Sequence, residues 1–321
     1  MSSAVGNAPI QFVPTRSQLN MAYSVCRGIA RSAAKNFYYG FLVFPQRKRN
    51  ALAAVYAFMR RCDDIADDGA LSLRDRQNKL TEWLDKVHRA LAGQATDDPV
   101  LMALTDAQRS YQIPVGLLDQ LAYGTAADLE QSEPQENSQV SQTVEPGVPS
   151  PLVARYETFE DLRQYCYGVA SVVGLVCIKI FGYRDPAAEP LAESCGLAFQ
   201  LTNIIRDVKE DAAMGRVYLP GEDLLQCGLQ AGDLAAPEAS RIRPLLALEA
   251  DRAREYYRAG EELIPMVNED SQPGLWVLIT IYRSLLEKIA ANDYDVFSQR
   301  VGLSVPAKVR ILTKGIVKRL L

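Results

Sequence analysis

Apolar residues recur at three- and four-residue intervals along nearly the whole chain, and the two-residue alternation of a strand is almost absent. After a loose tail over 1–16, with Ser17 as the candidate N-cap, a helical pattern runs to Tyr39 through Tyr23, Val25 and Ile29. Pro45 opens a turn, and the basic run Gln46–Arg49 leads into a helix over Asn50–Asp68 that Gly69 ends. Leu80, Trp83, Leu84, Val87 and Leu91 mark an amphipathic helix within 73–93. Asp97-Asp98-Pro99 starts another that reaches Tyr111, and Pro114 opens the next, to Ala127. Further helical patterns follow at 165–181, 186–210, 239–263, 276–292 and 306–321. The expected fold class is all-α, a single helical domain over 17–321. Within it, 129–151 is rich in Glu, Gln, Ser, Asn and Pro, has no aromatic residue, and reads as a mobile surface loop.

Composition narrows the function classes. With 321 residues and 48% hydrophobic content the chain can bury a sizeable core, and a net charge of −4 argues against a nucleic-acid partner. Six cysteines without a C-x-x-C pair read as reduced, buried thiols rather than disulfides or zinc ligands. His88 is the only histidine, which works against Ser-His-Asp or Cys-His chemistry. The N-terminus does not have the pattern of a signal peptide, and no apolar run reaches spanning length, since Lys179 interrupts the best of them, Val169–Ile178. The expected location is the cytoplasm, with peripheral membrane contact as the alternative that the last helix raises. Over 306–321 five basic residues are interspersed with Val, Ile and Leu, so that helix either docks on the domain or lies on an anionic bilayer.

Two stretches carry candidate chemistry. Asn203, Asp207 and Asp211 are four apart, and each such step advances a helix only about 40°, so all three share one face of an apolar helix. With Tyr56 as zero on a 100° wheel, Arg60 lies at about +40°, Asp63 at about −20° and Asp67 at about +20°, whereas Asp64 and Asp68 swing to a flank. Carboxylates gathered on a buried face repel unless a cation compensates them, and an all-oxygen set suits Mg²⁺. A solvated acidic face is the competing account for either cluster alone; two clusters, each in an apolar helix, favour metal. Arg60, one turn before the acids, suits a diphosphate.

Asp63-Asp64-Ile65-Ala66-Asp67-Asp68 and Asn203-Ile204-Ile205-Arg206-Asp207-Val208-Lys209-Glu210-Asp211 resemble the two aspartate-rich motifs of the squalene and phytoene synthase family. The second continues into Gly215–Pro220, and Tyr165–Gly174 between them resembles the family's central cavity helix. The resemblance runs from about residue 20 to about residue 300. It implies an isoprenoid synthase-type helical bundle around an apolar cavity, and Mg²⁺ held by Asp63, Asp67, Asn203, Asp207 and Asp211. Arg60 and Arg206 would add fixed positive charge on the diphosphate, although Arg206 equally suits a plain ion pair with the acids beside it. Tyr56 and Tyr165 match tyrosines near the reacting carbons; for either, a buried hydrogen-bonded core role competes. Phe37, Val169, Val173, Gly174, Gln200 and Leu201 are candidates for the cavity wall. For the small residues of 168–174, plain helix packing fits equally well. Lys35 and Asn36 stand where some members carry Lys-Ser, and Tyr282 and Arg300 match C-terminal positions.

The implied reaction joins two prenyl diphosphates head to head through a cyclopropyl diphosphate. The wording of 165–183 is closer to members that use farnesyl diphosphate and give presqualene diphosphate or squalene, with NADPH as cofactor where squalene is the product. Phytoene synthesis from geranylgeranyl diphosphate is the alternative. A non-catalytic helical assembly factor of the same fold is the reading from another class, disfavoured by the intact acids and Arg60. Oligomeric state is not legible.

Overall fold

The computed structural model describes residues 12–33, 37–130, 152–235 and 238–320, apart from the side chains of 125–130 and 239. The elements are α1 (Arg16–Ala33), α2 (Phe37–Phe41), α3 (Gln46–Ala66), α4 (Leu73–Leu91), α5 (Pro99–Tyr111) and α6 (Val115–Glu130), then α7 (Phe159–Cys166), α8 (Val172–Phe181) and α9 (Ala188–Ala213). The chain continues through α10 (Gly221–Gln226), α11 (Ala239–Leu263), α12 (Gln272–Ala291) and α13 (Val305–Leu320). Among the described residues there is no strand, only isolated bridges at Ala154–Val217 and Tyr183–Val267. The fold is all-α, as the apolar periodicity requires.

Local signals set most helix ends. Asp98 accepts from the backbone N–H of Val100 at 2.8 Å and of Leu101 at 3.3 Å, with Pro99 opening α5. Ser72 caps α4, and Thr158 with Asp161 forms a capping box on α7. The cap of α1 falls at Thr15 rather than Ser17: Thr15 Oγ1 accepts from the Gln18 N–H, and the Gln18 side chain accepts from the Thr15 N–H. Of the expected 17–39 helix, the described residues give α1 to Ala33 and the start of α2 from Phe37, with 34–36 outside them; α3 stops at Ala66, which leaves Asp67 as its C-cap. The stretch 129–151 enters α6 with its first two residues and lies otherwise outside the described residues.

Two long helices organise the rest. α3 packs against α1, α4, α5 and α6, and α9 packs against α7, α8, α11 and α12. Lys48, in the first turn of α3, donates to the Phe181 carbonyl at 2.7 Å, which fixes the start of α3 beside the end of α8. α8 runs antiparallel along α9 through glycines. A Cβ on Gly174 would lie 2.4 Å from the Ala192 carbonyl oxygen, and one on Gly196 2.5 Å from that of Ala170. These glycines serve close helix packing. A π turn over Tyr167–Ser171 joins α7 to α8, giving one helix over 159–181 that is long and apolar enough by length and composition to cross a membrane, contrary to the expectation that none would be. It packs against α6 and α9 with half its apolar window buried, as a core helix does.

Away from the cleft, a buried charge cluster ties α10 to α11. Arg252 donates to Glu249 at 2.9 Å and to Asp223 at 2.8 Å, and its guanidinium lies 4.4 Å from the centre of the Phe159 ring. Burial pushes the Glu249 carboxyl up to about 8; Arg252 pulls it down and Asp223 pushes it up. The folded value lies above the unfolded one, so the native state holds an extra proton between them. Stability is fully present below the unfolded value and is lost as pH rises through the folded one.

Two outcomes are expected. Melting temperature should fall between about pH 4.5 and about pH 8, and Glu249→Gln should flatten that slope; an unchanged slope would refute the assignment. Gly196→Ala should destabilise by about 1–3 kcal/mol through overpacking. Gly116→Ala on α6, where a Cβ meets nothing within 4 Å, should be neutral or stabilising by up to about 1 kcal/mol. Thermal denaturation of both glycine variants reads the contrast.

Candidate active site

α3 and α9 each pass from an apolar middle to an acidic end. A cleft of about 160 Å³ lies between them, lined on α3 by Leu52, Val55, Tyr56 and Met59 and on α9 by Ala192, Cys195, Gly196, Phe199, Gln200 and Asn203. Phe41, Leu263, Leu275 and Leu278 add apolar wall. The same faces continue past the rim: Arg60 and Asp63 follow Met59, and Asp207 and Glu210 follow Asn203. Asp63 and Asp64 stand in the last turn of α3, and Glu210 and Asp211 in the last turn of α9; neither turn carries a basic residue. Helix C-termini are already negative, so each acid there costs about 0.3–1 kcal/mol unless a cation answers it.

Guanidinium groups answer it in part. Arg206 Nε donates to Asp207 at 2.8 Å, and Arg300 donates to the same carboxylate from Nη2 at 2.7 Å and Nε at 3.0 Å. Burial pushes the Asp207 carboxyl up, and the two arginines outweigh it, so the group sits below its ordinary value and stays ionised. Arg300 also approaches Glu210 at 3.7 Å, while the other Glu210 oxygen is buried without a partner. Arg60 pairs at 2.6 Å with Asp64 on the flank.

Phe37, Tyr56, Val169, Val173, Gly174, Gln200 and Asn203 are brought together on the cleft. Tyr282 is buried behind them, stacked on Phe199 at 4.4 Å and 5.2 Å from the Phe37 ring. Burial raises its hydroxyl, the Arg206 charge lowers it, and its oxygen meets the Asn203 amide, which links the aromatic wall to the acidic rim. The remaining described candidates do not line the cleft itself. Leu201 is in the core, on the side of α9 away from the cleft. Tyr165 is stacked between Tyr156 and Tyr218, each 5.3 Å away. Asp211 borders a small pocket with Arg216 and Tyr218, and Asp67 is exposed just past the end of α3. Lys35 and Asn36 lie outside the described residues.

Sequence reasoning missed Phe199, Met59, Cys177 and Cys195 as wall residues. Phe199, Gly196 and Ala192 precede Asn203 on its helical face, so the signal was present in the spacing. Burial pushes the thiols of Cys177 and Cys195 up to about 12, which keeps both neutral.

The donor set fits a hard divalent cation. Every candidate ligand is a carboxylate or amide oxygen, Asp207 is ionised, and Glu210 leaves a buried oxygen unanswered. Among the described residues no three such groups converge into a ready cage. Mg²⁺ commonly takes one or two carboxylates and completes its shell with water and substrate phosphate, so an open arrangement suits it.

Comparison with known proteins agrees with this chemistry. A family model described as squalene/phytoene synthase matches residues 30–307. Phytoene synthase of Mycobacterium tuberculosis is 35% identical over 301 residues, covering 92% of this chain and 90% of that protein. 15-cis-phytoene synthase of Synechococcus elongatus is 34% identical, over 91% of this chain and 92% of the relative. Among solved structures, a dehydrosqualene synthase in complex with ligand superposes with a TM-score of 0.78 at 29% identity, covering 93% of this chain and 96% of the other. Squalene synthase HpnC from Alicyclobacillus acidocaldarius superposes with a TM-score of 0.73 at 30% identity, over 88% and 97%. The chain therefore belongs to the squalene/phytoene synthase family, prenyltransferases that join two prenyl diphosphates head to head.

Proposed function

We propose that this chain condenses two molecules of geranylgeranyl diphosphate to phytoene. The observation that carries the general chemistry is the pair of helices that are apolar along one cleft and acidic at its rim. The choice of the C20 substrate rests on the relatives called phytoene synthase, which favour this reading over the farnesyl-based one expected from the wording of 165–183.

The family depends in general on divalent metal. Asp63 and Asp67 on one side and Asn203, Asp207 and Asp211 on the other are the proposed ligands. When bound there, Mg²⁺ neutralises the diphosphate and makes it a better leaving group. Arg60 and Arg206 fix the diphosphate as its C–O bond breaks and it departs with the electron pair. Arg300 is held on Asp207 in the free chain and is placed to follow the anion.

The allylic cation left behind is attacked by the double bond of the second molecule, and proton loss closes the cyclopropane ring. A second ionisation, rearrangement and proton loss give phytoene without a hydride donor. Phe37, Tyr56, Phe199 and Tyr282 present aromatic surface to the positive charge. Val169 and Val173 keep water out, and the neutral thiols of Cys177 and Cys195 offer no thiolate to trap it.

Mass spectrometry of products from C15 and C20 diphosphates, each with and without NADPH, tests the substrate. A C40 hydrocarbon from the C20 substrate without NADPH is expected; turnover of the C15 substrate alone would overturn the reading.

The acids should separate in their effects. Asp63→Asn should lower turnover by at least ~10²-fold, the scale of a lost transition-state contact, with the melting temperature kept. Asp207→Ala should lower turnover as far and also destabilise by about 1–3 kcal/mol, because it leaves the half-buried Arg206 unpaired. Near-normal rates in both folded variants would rule out the metal assignment.

A further inference from the structure

Sequence alone leaves docking and membrane contact as rival roles for the C-terminal helix; the structure gives α13 two faces. With Gly315 as zero on a helical wheel, Lys308, Ile311, Leu312, Lys318 and Arg319 fall within about 60° on either side. This face is docked. A Cβ at Gly315 would meet Val277, and Ile311 and Leu312 pack against the core. Lys308 lies 5.4 Å from the centre of the Tyr39 ring, Lys318 lies 5.0 Å from that of Trp276, and Arg319 donates to the Val43 carbonyl at 2.9 Å.

The adjoining, outward face is apolar and open. Val305, Val309, Ile316 and Leu320 fall between about 80° and about 140°, with Val317 beyond them at about 200°. All five are exposed, Leu320 by 80% and Val305 by 62%. Beyond Val317 lie Arg310 at about 220° and Lys314 at about 260°, and neither has an ion pair among the described residues. Docking therefore accounts for one side of this helix and leaves the outward stripe without a partner.

We propose that the outward face of α13 is a contact surface for an anionic lipid bilayer. An exposed apolar stripe flanked by basic side chains, with no acid anywhere in 305–320, is the pattern of a helix that lies in a membrane interface. A second copy fits poorly, since pairing this face with itself would bring like charges together. A polyanion without apolar surface would leave the stripe uncovered. Position supports the lipid surface: α13 packs on α2, and Phe37 and Phe41 of α2 line the cleft. A hydrocarbon-bearing ligand leaving past α2 would do so beside the helix that meets the bilayer.

Sedimentation with phosphatidylcholine vesicles, with and without phosphatidylglycerol, at low and high salt, tests this directly. It reads no turnover, so its outcome is independent of which diphosphate the enzyme uses. The parent should bind the anionic vesicles, and more weakly at high salt. Arg310→Gln with Lys314→Gln should reduce that binding about 10-fold or more. Ile316→Ser with Leu320→Ser should reduce it at both salt concentrations. Lys318 and Arg319 are unsuitable targets because they hold the docked face. Both double variants should keep the parental melting temperature and the parental rate on detergent-dispersed substrate. No binding by the parent, equal binding to neutral and anionic vesicles, or undiminished binding by both double variants would each overturn the proposal.

Discussion

Repulsion among carboxylates at the ends of two helices is the constraint on which the rest of this structure depends. α3 and α9 each deliver acids to a terminus whose backbone is already negative. Only a rigid surround can hold such groups at one rim. Contacts between α8 and α9 at glycine distance provide part of it, and so does Lys48 bound to the Phe181 carbonyl. Arg206 and Arg300 supply the remainder by neutralising Asp207 within the chain itself. The free protein is thereby stable with its acids together, and a cation that arrives with an anionic substrate meets Asp207 already ionised.

The same two helices separate polar from apolar chemistry along their length. Four residues take α3 from Met59 to Asp63 and α9 from Phe199 to Asn203. Diphosphate chemistry is thus held at one end and hydrocarbon at the other, with Tyr56 and Tyr282 at the boundary. Tyr282 touches both regimes, since its ring stacks on Phe199 and its oxygen meets Asn203. Substitution there would disturb the wall and the rim together, whereas Leu278 belongs to the wall alone.

Much of this was legible because helices announce themselves locally. Asp98-Pro99 fixed the start of α5, and the apolar spacing fixed α11 from end to end. The acidic faces followed from steps of four. The failures are contacts between distant parts of the chain. Arg300 reaches Asp207 across 93 positions, and no local pattern encodes that pair. Tyr165 lies one turn before the residues of the 159–181 helix that line the cleft, and its ring is taken up by Tyr156 and Tyr218, the latter brought in by the turn after α9. Arg60 is a local case: it lies about 60° from Asp63 on the wheel and only about 40° from Asp64, and the i,i+4 neighbour takes the pair.

Charge is also segregated on a larger scale than the net value of −4 suggests. The acids of α3 and α9 gather at the rim of the cleft, and α13 carries basic residues alone. Mixing the two sets would have produced surface ion pairs worth little in water. Kept apart, each set retains a field of its own, one that attracts cations and one that attracts anionic surfaces. α2 connects the two regions physically, because Phe37 and Phe41 face the cleft while Tyr39 receives Lys308 of α13. A displacement of these five residues would move the cavity wall and the C-terminal helix together, so the wall nearest the hydrocarbon and the basic helix share one mechanical element.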